Sequence, residues 1–136
     1  MLYLTRKFQF NASHRIYNTA LSDKENFELY GKCSNPNGHG HNYVLEVTVS
    51  GEIDKDTGYI VDINEIKNIV NPELIEKVDH KNLNLDVEFM SGIIPTTENM
   101  VYQFWKVLVN KFTTCEVKLY SLKLFETENN FVEYRG

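Results

Sequence analysis

The sequence predicts an α+β fold in which a four-stranded antiparallel sheet carries two helices on one face. Three observations predict it: two segments near the N-terminus alternate apolar and polar residues, two later segments repeat apolar residues at helical spacing, and two more alternating segments close the chain. With 136 residues, 42% of them apolar, residues 1–136 read as a single domain able to bury a core without disulfide or metal staples.

Each element has its own signal. From Leu2 to His14, Leu2, Leu4, Phe8, Phe10 and Ala12 are apolar while Thr5, Lys7, Gln9 and Asn11 are polar, a period of two broken only at Arg6. From His39 to Gly51, His39, His41, Tyr43, Leu45, Val47 and Val49 share the other strand's face. The 24 residues from Arg15 to Gly38 make a long connection, which predicts function or local helix. Ser22 and Glu25 form a capping-box pattern with Gly31 as a stop, placing a short helix near 23–30, and the stretch from Lys32 to Gly38 is turn chemistry.

Asp54 to Gly58 reads as a turn, and Asp62 as the N-cap of a helix with Ile63, Ile66 and Val70 inward. Asn71-Pro72 should interrupt that helix before Leu74, Ile75 and Val78 resume its apolar face. Pro95-Thr96-Thr97-Glu98 opens a stronger helix whose inward stripe is Met100, Val101, Phe104, Trp105, Leu108, Val109 and Phe112. Glu116–Glu126 and Phe131–Tyr134 form a final hairpin around Glu128-Asn129-Asn130, asparagine being a turn residue that tolerates positive φ. A sheet so covered leaves one face and two edges open, and oligomerisation is the natural remedy.

Fourteen basic against nineteen acidic residues give a net charge of −5, which argues against nucleic acid or an anionic membrane as partner. No run approaches the roughly 20 apolar residues of a membrane span, and the N-terminus alternates where a signal peptide would be continuously apolar. The expectation is a cytoplasmic protein whose two cysteines, Cys33 and Cys115, stay thiols.

The four histidines carry the chemistry. His14 ends the first strand, His39 and His41 open the second, and His80 follows Asp79. Imidazoles at i and i+2 on a strand point the same way, and a third from the neighbouring strand completes a set that leaves the fourth tetrahedral position of a metal open. Cys33, six residues before His39, reads either as a fourth ligand closing the site or as a base or nucleophile beside it. Asp79 stands where a carboxylate can orient the imidazole of His80. Glu126, if it faces a pocket, can accept two parallel hydrogen bonds from a planar N–H/NH2 edge. Cys115 reads as an ordinary packed residue, and Thr96, Thr97 and Glu98 are sufficiently explained as a helix start, ligand binding being a separate role.

Five segments, Phe10–Arg15, Gly31–Tyr43, Val78–Leu83, Thr96–Asn99 and Glu126–Asn130, resemble in order the motifs of the 6-pyruvoyltetrahydropterin synthase family, nearly end to end. The resemblance implies the tunnelling fold (T-fold): three subunits close a twelve-stranded barrel, and two such trimers stack into a homo-hexamer. It implies that His14, His39 and His41 bind Zn2+, that Cys33 is the proton acceptor, that Asp79 and His80 complete its relay from an adjacent subunit, and that Glu126 anchors a pterin with Thr96, Thr97 and Glu98 nearby. The implied reaction is that of a zinc-dependent lyase of tetrahydrobiopterin biosynthesis. It converts 7,8-dihydroneopterin triphosphate to 6-pyruvoyltetrahydropterin with loss of triphosphate and no external redox cofactor.

The related 6-carboxytetrahydropterin synthases of queuosine biosynthesis share fold, zinc set and substrate but release acetaldehyde with the triphosphate. Five residues separate Cys33 from His39, and the last motif reads Glu126-Thr127-Glu128-Asn129-Asn130; both resemble the pyruvoyl type, the carboxy type generally having the shorter Cys–His separation. Ser34, where the family commonly has Asn, and Glu133 depart from the pattern without touching a named role. An alternative of another class is a non-catalytic zinc-stabilised binding module in which His14, Cys33, His39 and His41 form a closed tetrahedron. It leaves Asp79, His80 and Glu126 without a role.

Overall fold

The computed structural model describes residues 1–136. Strands β1 (Leu2–His14) and β2 (His39–Gly51) pair antiparallel in unbroken register, from Leu2 opposite Gly51 to His14 opposite His39. Even residues of β1 therefore face the same side as odd residues of β2, and Phe8, Phe10, Ala12, Tyr43, Leu45, Val47 and Val49 form the buried floor of the core. A slip of one residue would turn this whole set, and the histidines with it, to the other face.

The chain returns to the sheet as β3 (Lys81–Asn82), β4 (Lys118–Phe125) and β5 (Phe131–Tyr134), in the spatial order β3-β1-β2-β4-β5. The sheet is thus five-stranded and mixed where the sequence predicted four antiparallel strands, because β3 runs parallel to the end of β1 with Ala12 opposite Lys81 and Ser13 opposite Asn82. Two residues are too few to display a period. A bulge opposite Thr48 and Val49 shifts the alternation of β4, so that Leu119 opposite Val49 and Leu122 opposite Val47 both reach the core while Ser121 is buried beside Thr48 on the other face. β4 starts at Lys118, two residues later than the pattern suggested.

Helix α1 (Asp23–Tyr30) has the predicted capping box: Ser22 Oγ accepts from Glu25 N–H at 3.1 Å, Glu25 Oε1 accepts from Ser22 N–H at 3.2 Å, and Gly31 ends it at φ 62°. Asp62 caps α2 (Ile63–Val70), which buries Ile66 and Val70 while Ile63, predicted inward, is exposed on the first turn. Asn71-Pro72 does not break the helix. The chain widens into a π-helical turn over Asn71–Ile75, which absorbs the missing proline N–H, and α3 (Glu76–Val78) continues with Leu74 and Val78 fully buried. In α4 (Thr97–Leu108) Met100, Val101, Phe104 and Leu108 pack on the sheet. Trp105 is half-buried against Tyr134, with ring centroids 5.4 Å apart, and Val109, expected inward, is exposed just past the end of the helix. No helix is long and apolar enough to cross a membrane.

The opposite face of the sheet is polar and satisfies itself across strands. Thr5 pairs with Thr48 at 2.7 Å, Asn11 with Asn42 at 2.7 Å, and Glu46 takes Lys7 at 3.2 Å and Lys123 at 3.9 Å.

Candidate metal centre and adjoining pocket

The last rungs of the β1–β2 ladder bring three imidazoles together. His14 is opposite His39, and His41 is the next residue of β2 on the same face. The turn into β2 passes so close to β1 that a Cβ on Gly38, at φ 69°, would lie 2.8 Å from the His14 carbonyl oxygen. Glycine is required there both by backbone angle and by space. Ring centroids are 4.7 Å apart for His14–His39, 5.2 Å for His14–His41 and 4.9 Å for His39–His41, and one nitrogen from each ring lies within 4.8 Å of the others.

Pro95 settles the tautomer of His14. Its carbonyl oxygen, an acceptor only, is 2.9 Å from His14 Nδ1, so Nδ1 carries the proton and Nε2 faces His39 Nε2 at 3.1 Å. Two imidazole nitrogens bound to one tetrahedral zinc stand about 3.3 Å apart, given Zn–N bonds of about 2.0–2.1 Å. His41 Nε2 is buried and has no hydrogen-bond partner. A buried ring nitrogen without a partner costs free energy, and a divalent cation at the centre of the three rings would take its lone pair. Burial, first among the causes, holds His14 and His41 below the ordinary histidine range, so both stay neutral, the form a metal requires. The Pro95 hydrogen bond opposes that shift at His14, and the Glu126 charge opposes it at His41.

Tyr43 supports the site from below. It is fully buried, stacked on Phe10 with centroids 4.8 Å apart, and its hydroxyl lies 3.4 Å from His14 Nδ1. Burial and the nearby Glu126 carboxylate push its ionisation upward, so it remains a neutral phenol.

Glu126 stands where β4 leaves the sheet. Its Oε2 accepts from the Thr97 hydroxyl at 2.9 Å, and its Oε1 is 3.7 Å from His41 Nε2. Thr96, Thr97, Glu98 and Glu126 line a cavity of about 340 Å³ whose apolar walls are Ile16, Phe131 and Val132. Glu126 also lines a groove of about 820 Å³ that holds His41, Asp79 and His80.

Asp79 and His80 face each other, with Oδ1 and Nδ1 3.0 Å apart, although neighbours in sequence ordinarily diverge. His80 achieves this at φ 59°, the left-handed region, and the segment is pinned because Asp79 Oδ1 accepts from Asn11 N–H at 2.9 Å while His80 N–H donates to Asn11 O. The Asn11 bond, first among the causes, holds the Asp79 carboxyl below its usual range. Positive φ thus falls on His80. The asparagines of the last hairpin do not use it, and that turn is held by Thr127 Oγ1, which accepts from Asn129 N–H.

Cys33 lies in a tight turn over Gly31–Ser34 and is exposed. Its carbonyl accepts from Ile16 N–H at 2.9 Å and that of Ser34 from Arg15 Nε at 2.8 Å, which ties the turn to the chain just beyond His14. The donor cluster comprises the three imidazoles; the Cys33 thiol is not a member, nor does Cys33 line the groove of Asp79 and His80. Sequence reasoning missed Tyr43, the Pro95 carbonyl, Ile16 and Phe131. Only Tyr43 had a legible signal, its place two residues after His41 on the same face.

The sequence matches the family described as 6-pyruvoyl tetrahydropterin synthase over residues 3–136. The chain belongs to that family. A 6-pyruvoyl tetrahydrobiopterin synthase of Dictyostelium discoideum is 47% identical over 133 residues, 98% of this chain and 95% of that protein. One from Pongo abelii is 47% identical over 133 residues, 98% of this chain and 90% of that protein. The solved Caenorhabditis elegans 6-pyruvoyl tetrahydropterin synthase has a TM-score of 0.90 at 36% identity, covering 99% of this chain and 95% of that one. The fold is the T-fold of the 6-pyruvoyl tetrahydropterin synthase family.

Proposed function

We propose that this protein is a zinc-dependent lyase that converts 7,8-dihydroneopterin triphosphate to 6-pyruvoyltetrahydropterin with elimination of triphosphate. The observation that carries the reading is a three-imidazole centre with an orphaned His41 nitrogen, set beside a carboxylate that borders a pocket. His14, His39 and His41 hold the zinc, which when bound supplies a Lewis acid that acidifies the C–H beside the substrate's side-chain oxygens.

Glu126 accepts the ring N–H and amino group of the pterin, with lone pairs to spare beyond the bond from Thr97. Ile16 and Phe131 offer apolar walls to the flat ring, and Thr96, Thr97 and Glu98 close the end of the pocket. Cys33, exposed in its turn, takes the proton from the side-chain carbon. Asp79 orients His80 and stabilises its protonated form, so the pair receives and returns protons between carbons.

Cys33 does not line the groove that holds Asp79 and His80, which supports a relay supplied to Cys33 by a neighbouring subunit. The outer edges of β1 and β5 offer unpaired backbone, and the polar open face suits a water-filled barrel; both support trimers that stack into a hexamer, each subunit acting as one domain. Both cysteines are free thiols, which supports a reducing, cytoplasmic location. Incubation of the protein with zinc and 7,8-dihydroneopterin triphosphate tests the proposal: the account predicts triphosphate and a pterin of the pyruvoyl mass. Acetaldehyde with a carboxypterin would assign the queuosine-type reaction instead, and absence of turnover would return the protein to a zinc-stabilised binding module.

A further inference from the structure

We propose that Thr97 is a positioning residue that holds the Glu126 carboxylate off the metal centre and so keeps the fourth metal position open. The inference rests on the three-histidine reading above. Its observation is a carboxylate caught between two attractions. Glu126 Oε2 accepts from Thr97 Oγ1 at 2.9 Å, while Oε1 stands only 3.7 Å from His41 Nε2, a buried nitrogen without a hydrogen-bond partner. A metal at that nitrogen adds charge that pulls the carboxylate inward.

Zinc binds carboxylate oxygen at about 2.0–2.2 Å, and three imidazoles with one carboxylate make a complete tetrahedral set. A closed set of that kind is the mark of a structural site, whereas catalysis requires an open position. Glu126 is therefore close enough to shut the site it serves. The carboxylate would then also be lost to the ring edge in the pocket.

Thr97 is placed to prevent this. It is the first residue of α4, next to the cap residue Thr96, whose Oγ1 accepts from Asn99 N–H at 3.3 Å, and two residues after Pro95, whose carbonyl takes the His14 Nδ1 proton at 2.9 Å. The hydroxyl that restrains Glu126 is thus held on backbone already fixed by a metal ligand, and its β-branched side chain has few χ1 choices. Thr97 acts through Glu126 rather than on the reacting atoms.

The experiment measures zinc affinity by chelator competition, and binding of a pterin that lacks the C6 side chain and so brings no oxygen to the metal. Proteins compared are the parent, T97V, T97S and T97V/E126Q. T97V should bind zinc about ten-fold more tightly or better, the lower end of what a ligand's supporting partner contributes, here with reversed sign. It should bind the pterin about ten-fold more weakly, the scale of one charge-assisted hydrogen bond. T97S should restore both values, and T97V/E126Q should return zinc affinity to the parent level because no carboxylate remains to close the site. General damage weakens both ligands together and cannot produce opposite signs. Zinc affinity unchanged or weakened in T97V overturns the inference alone; failure of the parent to bind zinc overturns it together with the reading on which it rests.

Discussion

Gly38→Ala tests whether the strand-end geometry sets the metal centre. Gly38 sits at φ 69°, and a Cβ there would be 2.8 Å from the His14 carbonyl oxygen and 3.3 Å from its carbon, atoms of a paired strand that cannot swing aside. Left-handed backbone costs an alanine about 1–2 kcal/mol. Relief of the overlap costs about 1–3 kcal/mol more. The sum, roughly 2–5 kcal/mol, lowers Tm by about 8–20 °C at about 4 °C per kcal/mol for a chain of this size. Gly58→Ala is the control, since Gly58 has φ 78° but nothing within 4 Å of its Cβ. It should lose only the backbone part, about 4–8 °C. Relief of the Gly38 overlap moves His14, so zinc affinity should fall about ten-fold in Gly38→Ala and stay unchanged in Gly58→Ala. Calorimetry and chelator competition read both. If Gly38→Ala melts within about 2 °C of the control and binds zinc like the parent, the close approach does not govern the site.

Replacement of Cys33 by Ala should abolish turnover and leave zinc bound, because the thiol is outside the donor cluster; loss of metal by elemental analysis would make Cys33 a ligand. Glu126→Gln places a donor where two acceptors are needed, so pterin affinity by calorimetry should drop by about 2 kcal/mol or more with zinc content intact, and unaltered binding would return Glu126 to a solvated carboxylate. Burial holds the folded pKa of His14 and His41 below 6.5, so zinc should be retained as pH falls through 6.5. Metal-free protein should lose stability over the same descent, because unfolded imidazoles accept protons that the folded ones refuse. Complete zinc release by pH 6.5 would contradict this sign. Reassembly of equal amounts of Cys33→Ala and His80→Ala chains should make about one active site in four whole, a recovery far above either parent because relay members act as a unit. No recovery in oligomers shown to contain both chains would place the relay within one subunit.

The site was legible wherever it depended on local periodicity. A period of two put His39 and His41 on one face of a strand, with His14 at the end of a strand able to join them, and the capping box at Ser22 and Glu25 placed the start of α1. Features decided by tertiary contact were not legible. β3 is two residues held only by the end of β1, the π-helical turn at Pro72 is a compromise between a missing N–H and a buried apolar stripe, and His80 takes positive φ because Asn11 grips the chain around it. Ile63 and Val109 matched the helical period yet are exposed, since one sits where its helix starts and the other just past where its helix ends. Trp105 is only half-buried, against Tyr134 of the last strand. The Pro95 carbonyl and the Thr97 hydroxyl read as ordinary helix-start chemistry. Only the fold, by bringing α4 against the ends of β1 and β4, gives them partners in His14 and Glu126.

The measurement that tests the central claim most directly is a titration of zinc into metal-stripped protein, with triphosphate release and pterin mass followed in the same samples. Turnover should be absent without metal, rise linearly to about one zinc per chain and then stay flat, as a single open three-imidazole site requires. The pterin formed should be the pyruvoyl product throughout. Full turnover by the stripped protein, or stoichiometric zinc binding with no product formed, would contradict the account.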